Sequence, residues 1–90
     1  MRYEWDAPKQ RANLAKHGVD FAAIVAFQWD SALEIHDNRR DYGEPRWIVL
    51  GWNGTRLHTL IYTRRGHAIR VISLRKSNAR EVSAYERQKQ

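Results

Sequence analysis

The side chains best suited to chemistry are cationic and lie in one stretch, LHTLIYTRRGHAIRVISLRK. It contains Arg64, Arg65, Arg70, Arg75 and Lys76, with no Asp or Glu among them. A guanidinium group is planar and can donate two parallel hydrogen bonds to a phosphate. These residues are therefore candidates for binding a phosphodiester backbone. The alternative is that they are solvated strand-edge residues that discourage aggregation.

The hairpin that carries these arginines has a register that decides which of them share a face. Two β-rich runs flank an Arg-Arg-Gly-His connection, in which Gly66 can supply the positive φ of the turn. A two-residue loop (Arg-Gly) would pair Tyr62 with Ile69, and a three-residue loop (Arg-Gly-His) would pair Tyr62 with Arg70. A slip of one residue moves every side chain to the opposite face. We favour the three-residue loop, and we expect the arginines to gather on one side of the hairpin.

The charge is distributed unevenly along the 90 residues. Residues 1–45 contain six Lys or Arg and eight Asp or Glu, whereas residues 46–90 contain ten and two. A basic half beside a mildly acidic half indicates a polyanionic partner that binds one face, with nucleic acid as the first candidate. A solvated basic surface without a partner is the alternative interpretation.

The length and composition predict one compact domain that spans residues 1–90. The chain has no cysteine, which excludes a disulfide framework and a thiolate metal site. The first residues, MRYEWDAPKQ, contain no apolar segment typical of a signal peptide. No apolar run approaches the roughly 18 residues that a membrane helix needs. We therefore expect a cytoplasmic protein with no membrane partner.

Capping residues predict the first and the last helix. Asp6 followed by Pro8 in the first turn begins a helix that ends at Gly18. Asn78, with Glu81 three residues later, begins a C-terminal helix through a capping box. A second N-terminal helix is predicted over residues 21–29, with Asp20 as its N-cap and apolar residues at i, i+3 and i+4 on one face. These apolar residues are Phe21, Ile24 and Val25.

Five β-rich segments complete the predicted fold. Residues 2–5 alternate in polarity and predict an edge strand. The other strands are predicted at 33–37, 46–52, 56–64 and 68–75, and the polar stretch 37–45 predicts an exposed loop. The order β-α-α-β-β-β-β-α predicts an α+β domain. In it, a twisted, mainly antiparallel sheet is packed by two N-terminal helices and one C-terminal helix.

The sequence resembles the BrnT family of toxins over nearly its whole length. In the first half the matching residues are Tyr3-Glu4-Trp5-Asp6, Lys9, Asn13, Lys16-His17-Gly18-Val19 and Phe21. In the second half they are Glu44, Arg46, Tyr62-Thr63, Arg65-Gly66, Ile69-Arg70-Val71-Ile72-Ser73, Arg75-Lys76 and Glu81. They occur in the family's order and without large gaps.

The resemblance implies a fold, an activity and a partner. BrnT proteins are the toxin half of type II toxin–antitoxin pairs, with a small fold similar to RelE-like ribonucleases and an endoribonuclease activity. The implied partner is a BrnA-like antitoxin with a DNA-binding domain, in a heterotetramer that contacts operator DNA only through the antitoxin. RNA is the implied substrate.

RNA cleavage of this kind needs a base for the 2′-OH, a cation for the phosphorane and an acid for the leaving 5′-oxygen. The product would carry a 2′,3′-cyclic phosphate. Because no Asp, Glu or His cluster has metal-ligand spacing, we expect no metal and no cofactor. The predicted catalytic residues are Arg70, Arg64, Lys16, His17 and Glu44. The predicted RNA-binding residues are Arg65, Arg75, Lys76, Arg46 and Tyr62.

Each candidate also has a structural interpretation. The two basic residues that end the first helix could stabilise its dipole. Arg70 could pair with Glu44 or Glu4, and Tyr62 could be a half-buried core residue rather than a stacking platform for a base. For the whole chain, the alternative to a ribonuclease is a non-catalytic basic module that binds nucleic acid or an antitoxin and acts as a co-repressor.

Overall fold

A five-stranded sheet forms the centre of the computed structural model, which describes residues 1–89. The strands are β1 (Arg2–Glu4), β2 (Leu33–His36), β3 (Trp47–Asn53), β4 (Arg56–Arg65) and β5 (Ala68–Lys76). The helices are α1 (Ala7–His17), two 3₁₀ helices (Phe21–Ala26 and Trp29–Ser31) and α2 (Ala79–Gln88).

The sheet order is β1-β5-β4-β3-β2. The β1–β5 pair is parallel, and the other three neighbouring pairs are antiparallel. The predicted α+β class with a mainly antiparallel sheet is therefore confirmed. Within residues 1–89, no helix has the length and apolar character needed to cross a membrane.

Both α-helices begin where their capping residues predict, and α1 also ends where its capping residue predicts. Asp6 accepts a hydrogen bond from the Lys9 N–H at 3.1 Å, and α1 ends at Gly18, which adopts a left-handed conformation. At α2, the Asn78 side chain accepts from the Glu81 N–H at 2.9 Å, and the Glu81 carboxylate accepts from the Asn78 N–H at 2.8 Å. This is the predicted capping box.

The second N-terminal helix differs from its prediction in type and length. It is a 3₁₀ helix that ends at Ala26. Three residues per turn place Phe21, Ile24 and Phe27 on one side, and all three are buried. Val25, which a period of 3.6 residues would bury, is 79% exposed. The predicted α-helix over 21–29 is wrong, because core contacts at every third residue favour the tighter helix.

The β4–β5 hairpin adopts a register that neither predicted loop gives. Its two-residue loop is Gly66-His67, so Tyr62 pairs with Val71. Gly66 has a φ of 60°, while His67 has no positive φ, which is the pattern of a type II′ turn. Both predicted registers are wrong because glycine occupies the first loop position, where this turn requires it. A bulge between Ile61 and Tyr62 then shifts the pairing once more.

The two faces of the sheet differ in what covers them. The core face lies under α1 and the first 3₁₀ helix, and it carries the buried residues Val49, Leu60, Tyr62, Ile69, Val71 and Leu74. Strand alternation directs their neighbours to the opposite side, which we call the open face. There α2 covers one end, where the Tyr85 ring lies 6.0 Å from the Trp52 ring.

Candidate active site

The arginines of the hairpin do not share one face of the sheet. Arg64 follows Tyr62 by two residues and therefore lies on the core face, where its Nη2 donates to the Tyr62 hydroxyl at 3.5 Å. Arg65, Arg70 and Arg75 alternate with buried core residues and lie on the open face. The expectation that these arginines gather on one side is wrong for Arg64, because the buried Tyr62 fixes the direction of every second residue.

Each hairpin arginine of the open face is ion-paired with a carboxylate from another segment. The pairs are Arg65–Glu44 at 3.3 Å, Arg70–Glu4 at 3.4 Å and Arg75–Glu81 at 2.8 Å. The contacts of Arg65 and Arg70 are single and longer than ordinary charged hydrogen bonds, so each guanidinium keeps N–H donors for another acceptor. All three acids lie outside the hairpin: Glu44 and Glu4 are 21 and 66 positions from their arginines, whereas Glu81 follows Arg75 by six.

Glu44 lies between two guanidinium groups. Its Oε1 is 3.3 Å from Nη2 of Arg65, and its Oε2 is 3.6 Å from Nε of Arg46. The Cζ of Arg46 also lies 4.2 Å from the centroid of the Tyr42 ring. Among residues 1–89, the buried Nε of Arg46 has no hydrogen-bond acceptor. The structure thus brings together one predicted catalytic residue and two predicted RNA-binding residues.

Arg75 has a structural role at the start of α2. Its two terminal nitrogens donate to the two carboxylate oxygens of Glu81, each at 2.8 Å. This hydrogen bonding holds the pKa of Glu81 below its ordinary value and raises the pKa of Arg75. Because both terminal nitrogens are engaged, Arg75 is less available to a phosphate than Arg65 is. The next residue, Lys76, is exposed and forms no ion pair within residues 1–89.

Lys16 and His17 lie in the last turn of α1, beside Ser73 of β5. Burial lowers the pKa of His17, and the positive charges of Lys16 and Arg75 lower it further. The lowered pKa favours the neutral imidazole, which can accept a proton. In the part of the chain that the structure describes, no hydrogen bond or ion pair links this group to Glu44. The five predicted catalytic residues thus lie in three separate places. Glu44 and Arg70 are on the open face, Arg64 is on the core face, and Lys16 and His17 are at the end of α1.

Tyr62 belongs to the core. It is 0% exposed, and the Trp47 ring stacks on it with centroids 5.6 Å apart. Its hydroxyl donates to Glu34, and burial together with this hydrogen bond raises the pKa of Tyr62 to about 12. The geometry agrees with the structural interpretation of Tyr62 and leaves no exposed ring for a base.

Glu34 is not among the residues predicted from the sequence, although it contacts Tyr62 directly. Alternation of side chains along β2 directs Glu34 and His36 to the core side of the sheet. Predicting this direction requires the register between β2 and β3, which cannot be read from the sequence alone. Among residues 1–89, no group of three His, Asp or Glu side chains is placed to hold a metal ion.

Comparison with known protein families gives a match over nearly the whole chain. Residues 5–81 match a family model described as the ribonuclease toxin, BrnT, of a type II toxin–antitoxin system. The matched range includes Glu44 and all the arginines of the open face that are discussed above. No protein of curated function matches the chain. On the extent of the family match, this chain belongs to the BrnT family of ribonuclease toxins of type II toxin–antitoxin systems.

Proposed function

We propose that this toxin cleaves RNA without a metal, by attack of a ribose 2′-OH on the adjacent phosphodiester. The observation that carries the proposal is the position of Glu44 between Arg46 and Arg65 on the open face. A carboxylate flanked by two guanidinium groups offers a proton acceptor next to two phosphate ligands. Membership of a ribonuclease toxin family supports the activity at a coarser level.

Glu44 is the general base in this proposal. As its carboxylate removes the 2′-OH proton, the 2′-oxygen bonds to phosphorus and the bond from phosphorus to the 5′-oxygen breaks. The leaving 5′-oxygen takes a proton from water, and the hydroxide that remains takes the proton from Glu44 and restores its carboxylate. The upstream product ends in a 2′,3′-cyclic phosphate. Arg46 and Arg65 stabilise the charge that develops on the phosphorane oxygens. Their present contacts to Glu44, at 3.6 and 3.3 Å, are long enough to be exchanged for a phosphate.

Arg70 is the proposed ligand of a neighbouring phosphate. It pairs with Thr63, two residues before Arg65 on the adjacent strand, so Arg65 and Arg70 project from the same face. The Arg70 side chain is 28% exposed and has a single 3.4 Å contact with Glu4. A phosphate can therefore reach its remaining N–H donors.

The other predicted residues lie outside this centre. Arg64 and Tyr62 are on the core face, and we assign them no step. Arg75 is roughly 17 Å from Arg70 along β5, at about 3.4 Å per residue. We therefore place Arg75 and Lys76, with the adjacent Lys16 and His17, as outer contacts for a longer RNA.

The decisive experiment incubates the purified chain with RNA in EDTA and quantifies 2′,3′-cyclic phosphate ends. We expect the wild type to cut, and Glu44→Gln to cut about 100-fold more slowly, because general-base catalysis contributes at least that much. Arg65→Ala should lose a comparable factor. The matched control is Arg56→Ala, an exposed arginine at the start of β4, which should keep the wild-type rate.

Two outcomes would contradict this mechanism. Full activity of Glu44→Gln would remove Glu44 from the role of base. Loss of cutting in EDTA, restored by a divalent metal, would overturn the metal-independent mechanism.

A second candidate function is a non-catalytic module that binds RNA or an antitoxin and acts as a co-repressor. One observation favours it: Arg65, Arg70 and Arg75 each have a carboxylate partner already, so a phosphate must compete for them. The same assay separates the two functions. RNA that is bound but remains intact would support the co-repressor.

The toxin–antitoxin family implies an antitoxin partner for this chain. We propose that the partner is a BrnA-like antitoxin with a DNA-binding domain, and that the complex is a heterotetramer that contacts operator DNA through the antitoxin alone. A formal net charge of +6 supports an acidic binding segment in that partner. We also propose a cytoplasmic location, where RNA and the antitoxin are both present.

A further inference from the structure

An apolar groove lies on the open face, away from Glu44 and its arginines. Its floor consists of side chains from β2 and β3, and its wall is Ala84 and Gln88 of α2. The floor residues are Leu33, Ile35, Ile48 and Leu50, and Glu34 also lines the groove, although its carboxylate is hydrogen-bonded to Tyr62. The groove has a volume of about 410 Å³, and Ile35 is 62% exposed. Exposed apolar surface that is gathered in one place marks an interaction site more often than scattered single residues do.

The part of α2 beside this groove is positively charged. Arg80 and Arg87, which we call the rim, are exposed and lie four and three residues from Ala84 on α2. They line an adjacent hollow together with Ala79 and Ser83. Neither arginine forms an ion pair within residues 1–89. These two cations differ in that respect from the arginines beside Glu44, which are held by acids of the same chain.

We propose that this groove is the docking surface for an amphipathic, acidic segment of the antitoxin. Apolar side chains of the segment would fill the floor between β2 and α2, and its carboxylates would bind Arg80 and Arg87. The inference depends on the antitoxin partner that the family implies and is independent of the cleavage chemistry. It separates the surface that anchors the antitoxin from Glu44 and its arginines, although both lie on the open face.

The lining of the groove favours an acidic segment of the antitoxin over RNA or a second copy of the chain. RNA would require cationic or aromatic groups in the floor, whereas the floor is aliphatic apart from Glu34. A second copy of the chain, related by a two-fold axis, would bring its own Arg80 and Arg87 to the same interface, where like charges repel. An acidic amphipathic segment satisfies both the apolar floor and the cationic rim.

The test measures the affinity of the full-length toxin for the antitoxin encoded by the adjacent reading frame, by isothermal titration calorimetry. Ile35→Asp should weaken binding by at least about 30-fold, the effect typical of a central interface residue. The matched control is Val25→Asp, since Val25 is 79% exposed and lies under the other face of the sheet. This control should bind as the wild type does.

A second pair of variants tests the charged rim without touching the apolar floor. The double substitution Arg80→Glu with Arg87→Glu should weaken antitoxin binding about tenfold or more. The double substitution Arg11→Glu with Arg56→Glu changes the net charge equally at exposed positions elsewhere and should have little effect. Circular dichroism melts verify that all four proteins are folded, and RNA cleavage should stay at the wild-type level in Ile35→Asp.

Three results would overturn the proposal. The first is wild-type antitoxin affinity in both groove variants, or an equal loss in their controls. The second is a toxin that is dimeric by light scattering and becomes monomeric in Ile35→Asp, which would assign the groove to a second copy. The third is loss of RNA binding in Ile35→Asp with antitoxin affinity retained. If the chain does not cleave RNA, the antitoxin affinities can still be interpreted, because calorimetry measures binding independently of cleavage.

Discussion

At the scale of single residues, the ion pairs between the arginines of the open face and their carboxylates differ in the number and length of their contacts. Arg75 uses both terminal nitrogens on Glu81, whereas Arg65 and Arg70 each make one longer contact. Two parallel charged hydrogen bonds are stronger than one and fix the orientation of the group. We therefore expect phosphate to displace the acids of Arg65 and Arg70 more readily than the acid of Arg75.

The pair of Asp37 and Arg39 makes stability depend on pH. Asp37 is 3% exposed, and Arg39 donates to its two oxygens at 2.8 Å each. These hydrogen bonds hold the pKa of Asp37 well below its ordinary value. Because the folded pKa is lower than the unfolded one, the stabilisation is present at pH 7 and is lost as the pH falls below about 4.

We expect Asp37→Asn to lower the urea midpoint at pH 7 and to reduce the difference in stability between pH 7 and pH 3. Urea titrations at the two pH values measure both effects. Asp30→Asn, at an exposed position, is the control and should behave as the wild type does. An unchanged pH profile in Asp37→Asn would show that this pair is not a source of acid sensitivity.

At the scale of secondary-structure elements, the attachment of α1 to β5 depends on one buried amide. The short strand β1 pairs with residues 68–70 of β5 and leaves the following part of β5 without a strand neighbour on that side. Asn13 replaces this neighbour. Its Nδ2 donates to the carbonyls of Leu74 and Val19 at 2.7 and 3.0 Å, and its Oδ1 accepts from the Leu74 N–H at 3.4 Å.

Asn13→Ala should destabilise the fold by roughly 1–3 kcal/mol, because it leaves buried backbone groups without partners. Chemical denaturation measures this free energy. Arg11→Ala, on the exposed side of the same helix, should change it by less than about 0.5 kcal/mol. Equal stability of the two variants would mean that water replaces the amide at Leu74.

At the scale of the whole molecule, the cations occupy both faces of the sheet, and the proposed cleavage centre uses the open face. RNA binding should weaken with salt, since each phosphate contact releases counterions. For single strands, the slope of log K against log salt is about 0.7 per contact. Arg65→Ala and Arg70→Ala should each reduce the slope by about that amount, whereas Arg64→Ala, on the core face, should leave it unchanged. Filter binding at several salt concentrations measures the slopes, and a reduced slope in Arg64→Ala would place RNA on the core face.

The sequence by itself determined the features that depend on neighbours in the chain. Asp6 and Gly18 delimit α1, and Asn78 with Glu81 begins α2, because caps are local hydrogen bonds. The strands of the meander were predicted within one or two residues from their β-rich runs and turn glycines. The family resemblance was also carried by sequence and agrees with the family match over residues 5–81.

Only the tertiary structure decided the surroundings of the candidate site. Glu44 reaches Arg65 across 21 positions and Glu4 reaches Arg70 across 66, so neither contact has a local signal. The hairpin register depended on which loop position holds Gly66, and one slip exchanges the two faces. The observed register is neither of the two predicted ones, and it pairs the buried Tyr62 with the buried Val71 on the core face. The division of the arginines between the faces follows from that register.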